Sequence, residues 1–142
     1  MSSPRSYEGK CHCGAIGFVF RTALEPGQWP IRACQCTFCR LHGALSTSDP
    51  AGSLAFKEHV PSSLQRYQFG RRTADFWVCR NCGGYVGATM ESGTQHFGII
   101  NVRVLHELLD GLPAPAPMHY DSEGTPERLA RREQRWTPVT SA

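Results

Sequence analysis

The stretch ACQCTFCRLHG (33–43) places Cys34, Cys36 and Cys39 within six residues. Two further groups flank it in the chain: CHC (11–13) and CRNC (79–82). Ordinary buried thiols scatter along a chain, whereas these seven fall into three tight groups, the pattern of metal ligands. In an extended segment residues i and i+2 point to the same side, so Cys11 and Cys13 can reach one ion together. Cys79-x-x-Cys82, followed by Gly83 and Gly84, has the form of a metal knuckle, in which a turn brings both sulfurs to one point. A fold that joins these two pairs makes a tetrahedral four-cysteine site. Zinc suits four thiolates best, with iron the alternative. On this pairing the fold is expected to bring the chain near residue 12 against the chain near residue 80.

The middle triplet has three ligands where a closed zinc site needs four. Three protein ligands plus one position for substrate is the general plan of a catalytic zinc, which can lower the pKa of a thiol or polarise a carbonyl. Other readings of the same residues stand beside this one. His42, His12 or His96 would close the site as a fourth ligand. Cys36 and Cys39 could form a redox disulfide, although no βαβ pattern surrounds them. Cys34 and Cys36 could also pair with Cys79 and Cys82, since spacing alone leaves that open.

Composition narrows the class. The chain has 142 residues with 19% charged, long enough for one domain with a real core. No run approaches the roughly 18 apolar residues of a membrane span. MSSPRSYEGK at the N-terminus lacks the apolar core of a signal peptide, so a cytoplasmic protein is the expectation. Seven cysteines without a secretion signal argue against a disulfide framework. The formal charge of +3 falls to zero if seven thiolates hold two Zn²⁺ ions, so net charge gives no support to nucleic-acid binding.

Strand-like runs dominate the first hundred residues: AIGFVF (15–20), PIRAC (30–34), LAF (54–56), LQRYQF (64–69), ADFWVC (74–79), GYVGAT (84–89) and QHFGIINV (95–102). Gly and Pro punctuate the gaps, and the series predicts an antiparallel β architecture folded on itself. TFCRLHG predicts one helical turn ending at Gly43. RVLHELLD (103–110) has Val104, Leu105, Leu108 and Leu109 at helical spacing and predicts a short helix. GLPAPAP (111–117) reads as a stiff linker. TPERLARREQRW (125–136) predicts a helix with Thr125 as N-cap and Pro126 at the first helical position. Its anchors are Leu129, Ala130 and Trp136, and its arginines, Arg128, Arg131, Arg132 and Arg135, read as a solvated face. A partner- or RNA-binding arm is the alternative. The expected organisation is a zinc-binding β domain over 1–110, with a proline-rich linker and surface helix over 111–142 packed on it.

The order C-x-C-G, C-x-C-x-x-C-R, C-x-x-C-G, carried by GKCHCGAIGF (9–18), CQCTFCRLHGA (34–44) and CRNCGG (79–84), resembles the glutathione-dependent formaldehyde-activating enzyme family, whose domain also occurs in centromere protein V. The resemblance spans roughly 6–102, with an echo in PMHY (117–120). It implies a mainly β fold, a β-tent of packed antiparallel sheets with zinc knuckles. It also implies two zinc ions, one structural on Cys11, Cys13, Cys79 and Cys82 and one catalytic on Cys34, Cys36 and Cys39. The implied activity is that of a carbon–sulfur lyase, with glutathione and formaldehyde as the partners joined into S-hydroxymethylglutathione. Gln35 stands where such proteins commonly carry histidine, and GIIN (98–101) replaces their usual Gly-Thr-Leu-Asp. Phe38 and Trp77, next to the motifs, are the aromatic side chains placed to wall a pocket. The contrasting function is a non-catalytic zinc module that holds only the structural ion and binds a partner.

Overall fold

The computed structural model describes residues 3–141. Its strands are β1 (Arg5–Lys10), β2 (Ile16–Thr22), β3 (Arg32–Cys34), β4 (Ser46–Thr47), β5 (Ser53–Glu58), β6 (Leu64–Tyr67), β7 (Asp75–Cys79), β8 (Tyr85–Ser92), β9 (Gln95–Asn101), β10 (Ala116–Met118) and β11 (Thr137–Ser141). The helices are α1 (Thr37–His42) and α2 (Thr125–Arg135). The protein is mainly β, as the strand series predicts. Each predicted run contributes a strand, and β1, β4, β10 and β11 are strands that the series did not contain.

β9 is the hub of the sheet. One of its edges pairs antiparallel with β8, from Gly87↔Ile100 to Ser92↔Gln95. Its other edge is shared end to end by β11, at Gly98↔Thr137, and by β4, at Asn101↔Ser46. Three arms leave this hub. β8 leads to β7 and β6, β11 leads to β5, β2 and β1, and β4 leads to β3 and β10. Two pairings are parallel, β11 with β5 and β10 with β3, so the sheet is mixed rather than wholly antiparallel.

Alternation along these strands builds a core on each face. Phe18, Phe20, Leu54, Phe56, Trp77, Val86 and Ile100 belong to the larger cluster. Ala74, Ala88, Met90, Phe97, Ile99 and Trp136 form the smaller one. Trp77↔Gly87 is followed by Val78↔Tyr85, so β8 carries a bulge at Val86. The bulge lets Val86 face the larger cluster beside Gly87, and it turns Tyr85 to the opposite side, toward Phe38 and Phe76.

Two helix predictions need correction. Residues 103–110 form no helix. A single 3₁₀ turn, Val102–Val104, is followed by extended chain that bridges Leu105 to Gly9 and bonds His106 N–H to the Glu8 carbonyl at 2.9 Å. The open edge of β1 offers backbone partners that four apolar residues at helical spacing cannot outweigh. The second correction is one residue in register. Gly124 is the N-cap of α2, and Thr125 lies inside the helix. The Glu127 carboxylate accepts from the Gly124 N–H, satisfying an orphan donor of the first turn. Of the three expected anchors, Ala130 is exposed, while Trp136 is buried and Leu129 packs on the smaller cluster.

Candidate functional site

The fold brings the seven cysteines into two groups. The sulfurs of Cys11, Cys13, Cys79 and Cys82 lie within 4.8 Å of one another, and so do those of Cys34, Cys36 and Cys39. The first group forms where the turn after β1 meets the knuckle after β7. Cys11 Sγ is 3.8 Å from Cys13 Sγ, and Cys13 Sγ is 3.5 Å from Cys79 Sγ. Four sulfurs each about 2.3 Å from one ion would stand about 3.8 Å apart, so the donor set and its spacing fit a tetrahedral metal such as zinc. Backbone amides already face the sulfurs. Ile16 N–H points at Cys11 Sγ at 3.4 Å, and Asn81 and Cys82 N–H point at Cys79 Sγ at 3.3 and 3.4 Å. Burial pushes the Cys11 thiol up to about 11. Hydrogen bonding from Asn81, then from the Ala15 backbone, pulls Cys13 down to about 6.

The triplet is built by β3 running into α1. Cys36 is the N-cap of α1, its sulfur accepting from Cys39 N–H at 3.4 Å, and Gly43 closes the helix in the left-handed region at φ 60°. The predicted turn ending at Gly43 is therefore present, and it returns Cys39 toward Cys34 and Cys36. Hydrogen bonds from Cys34, then Cys39, hold the Cys36 thiol far below its ordinary value, and the same contacts push Cys34 and Cys39 up. Of the three, Cys36 is the sulfur whose thiolate is favoured. Such a set releases protons when a cation binds.

Among the described residues, no His, Asp or Glu ligand atom joins the three sulfurs within 4.8 Å. His42 instead places Nδ1 2.9 Å from the Phe38 carbonyl and stacks on the Phe38 ring at 4.3 Å. His12 and His96 are exposed. Gln35 turns back to donate to the Ala33 carbonyl at 2.7 Å. Nor do Cys34 and Cys36 join Cys79 and Cys82 in a group.

The triplet opens on a cavity of about 120 Å³. Its lining includes the apolar Phe69, Phe76, Ile99 and Trp136 together with Arg32, Tyr120, Asp121, Arg128, Arg131 and Arg132. Of the two aromatic residues picked out by adjacency, neither lines it. Phe38 backs the wall by stacking on Phe69 at 5.2 Å and meeting Phe76 edge-on at 4.9 Å, and Trp77 is buried in the larger cluster.

The arginines of α2 are the main residues that reading by composition missed. Arg128, Arg131 and Arg132 are not a solvated face, while Arg135 is exposed as expected. Arg132 is only 7% exposed, donates to Thr73 Oγ1 at 2.8 Å and lies 4.7 Å over the Trp136 ring. Arg131 forms a forked pair with Glu123 at 2.7 and 2.9 Å and covers the Tyr120 ring at 3.6 Å. Arg128 donates to the Tyr120 carbonyl at 2.8 Å. Burial lowers the pKa of Arg132 to about 10, helped by Arg131 and Arg128 nearby, and leaves it a cation at neutral pH. The signal was present in the spacing: 128, 131 and 132 fall at i, i+3 and i+4, the spacing of one helix face.

A mainly β chain with two cysteine groups able to hold metal ions, one of them open to a cationic cavity, defines the class. The chain belongs to the glutathione-dependent formaldehyde-activating enzyme family, whose model matches residues 6–121. It is also similar to the crystal structure of a Rhodobacter sphaeroides protein, a structural-genomics target. The two are 32% identical, the match covers 78% of this chain and 97% of that one, and the TM-score is 0.59. None of the curated proteins compared matches the chain. Among the described residues, no helix is long and apolar enough to cross a membrane.

Proposed function

We propose that this protein is a zinc-dependent carbon–sulfur lyase acting on a thiol–aldehyde adduct such as S-hydroxymethylglutathione, with Cys34, Cys36 and Cys39 as its catalytic metal site. Cys11, Cys13, Cys79 and Cys82 would hold a second, structural zinc. The observation that carries the reading is the contrast between the two groups. Four sulfurs close one site, while three sulfurs face a cavity and have no histidine or carboxylate ligand atom grouped with them within 4.8 Å among the described residues, although Asp121 lines the same cavity. Family membership supports the same chemistry.

Zinc held by the triplet would supply a cation that lowers a thiol's pKa and draws electron density from a carbonyl oxygen. The surrounding residues divide the remaining work. Phe69, Phe76, Ile99 and Trp136 keep water from the reacting atoms, which strengthens every charge interaction there. In the lyase direction the hydroxyl of the adduct releases its proton to solvent, its C–O bond becomes a carbonyl, and the carbon–sulfur bond breaks with the electron pair left on sulfur, so that the products are formaldehyde, a thiolate and a proton. The cationic wall favours that build-up of negative charge.

Metal content and spectroscopy test this. The purified chain should bind two zinc equivalents. Cobalt in the triplet should give thiolate bands that shift when a thiol is added, and formaldehyde should be released from hydroxymethyl thioether adducts. A single zinc equivalent, with cobalt bands indifferent to every thiol, would leave a non-catalytic zinc module instead.

A further inference from the structure

We infer that Tyr120 is a catalytic residue of this site: its phenol hydroxyl donates to the aldehyde oxygen and carries the proton between that oxygen and solvent. The inference rests on the proposed reading of Cys34, Cys36 and Cys39 as the reacting centre.

Backbone pairing delivers the residue. β10 runs parallel to β3 in a register that sets Ala116 against Arg32 and Met118 against Cys34. The Gln35 N–H donates to the Met118 carbonyl at 2.9 Å, just past that last pair. The chain then enters the lining of the cavity, where Tyr120 joins the three sulfurs. Tyr120, Arg32 and Arg131 also line a second, wider cavity of about 500 Å³ beside Pro113 and Met118. Tyr120 therefore stands in the wall between the reacting centre and a separate opening to solvent.

The ring is held while the hydroxyl is free. Arg131 covers the ring at 3.6 Å, and the Tyr120 carbonyl accepts from Arg128 at 2.8 Å. The hydroxyl has no hydrogen-bond partner among the described residues and is not sealed from solvent. Burial raises the phenol above the usual tyrosine range, against the pull of Arg131 and Arg32, so it is a neutral donor at neutral pH. The other polar side chains of the lining suit the task less. The arginines donate without yielding a proton. Thr73 Oγ1 already accepts from Arg132 at 2.8 Å, and Asp121 is exposed. Ser46 offers an aliphatic hydroxyl, a weaker acid than a phenol.

In the joining direction the thiolate sulfur bonds to the carbonyl carbon and the π pair moves onto oxygen. Tyr120 gives its proton to that oxygen and takes one from solvent through the second cavity. Cleavage is the reverse: the hydroxyl proton passes to Tyr120 Oη as the phenol proton leaves for solvent, and the carbon–sulfur pair stays on sulfur.

Tyr120→Phe isolates the hydroxyl, since it keeps the ring beneath Arg131. In the zinc-loaded full chain, kcat for formaldehyde release from S-hydroxymethylglutathione should fall at least about tenfold. Zinc content and glutathione affinity should hold. A second readout needs no turnover. S-acetylglutathione carries a carbonyl oxygen on the carbon bonded to sulfur, where the adduct carries its hydroxyl. By difference infrared, its bound carbonyl stretch should lie lower on the unaltered protein than on Tyr120→Phe, because a donated hydrogen bond weakens the C=O bond. Equal stretches in the two proteins, or no bound thioester on the unaltered one, would overturn the inference. So would a smaller fall in kcat, or a fall that comes with lost zinc or lost glutathione affinity. Equal formaldehyde release by both proteins would leave the lyase reading standing without Tyr120. If the unaltered chain releases none while the stretches differ, donation by Tyr120 stands and the lyase reading falls.

Discussion

Gly84 marks the tightest point of the four-cysteine group. A Cβ built there would meet Cys11 Cβ at 3.0 Å and Cys82 Sγ at 3.4 Å, while the Gly84 carbonyl accepts from Cys79 N–H at 2.9 Å. Neither neighbour can retreat without moving a sulfur. Gly84→Ala should cost about 1–3 kcal/mol, read as a lower denaturant midpoint, and should speed transfer of zinc to a coloured chelator. An unchanged midpoint with zinc held as before would mean that the knuckle yields freely. The two cysteine groups should also respond differently to serine. Cys11→Ser or Cys82→Ser removes a ligand whose metal binding contributes directly to folding, so insoluble or unfolded protein is expected. Cys36→Ser keeps an N-cap oxygen for α1 and should stay folded by circular dichroism while losing one metal equivalent. Equal collapse in both variants would count against the division of roles. The cysteines were legible in sequence because their spacing is itself geometric: x-one and x-two gaps fix which sulfurs can share a point. The arginines were not, because what buries them lies far off in the chain. Arg132 meets Thr73, 59 positions away.

At the scale of elements, α2 and the 103–110 segment show opposite failures of the same reasoning. The apolar spacing of 103–110 predicted helix, yet Leu108 is 94% exposed and the segment follows the edge of β1. The charged spacing of α2 predicted solvent, yet one face of it is turned to the cavity. Local pattern states which side chains share a face, and only tertiary contact decides what that face meets. The junction of α2 with β11 depends on Trp136. It is 5% exposed, its N–H caps the helix by bonding to the Arg132 carbonyl at 2.8 Å, and its ring lies under the Arg132 guanidinium. Trp136→Ala should therefore cost about 3–5 kcal/mol, measured by equilibrium urea unfolding. A cost below about 1 kcal/mol would mean that the smaller cluster refills the space.

Across the whole molecule, the last strand holds the sheet together. β11 lies parallel to β5 on one side, at Val139↔Leu54, and antiparallel to β9 on the other, at Thr137↔Gly98. Without it, the arm made of β1, β2 and β5 has no strand pairing to the β9 hub. Side-chain bonds reinforce this placement: Asp49 N–H donates to Thr137 Oγ1 at 2.9 Å, and Ser48 Oγ to the Arg135 carbonyl at 2.6 Å. Truncation after Asp121, where the family match ends, would remove α2 and β11 together. It would uncover the β5 and β9 edges, and with them Leu54, Phe97 and Ile99, an invitation to intermolecular pairing. The shortened chain is expected to aggregate or to lose its cooperative thermal transition, as seen by gel filtration and circular dichroism. Truncation after Trp136 separates the two contributions. It keeps the cavity wall but removes the joining strand, and a comparable loss would assign the effect to β11. If either shortened chain stays monomeric and melts at the temperature of the full chain, the larger cluster holds the arms together unaided and the strand is dispensable.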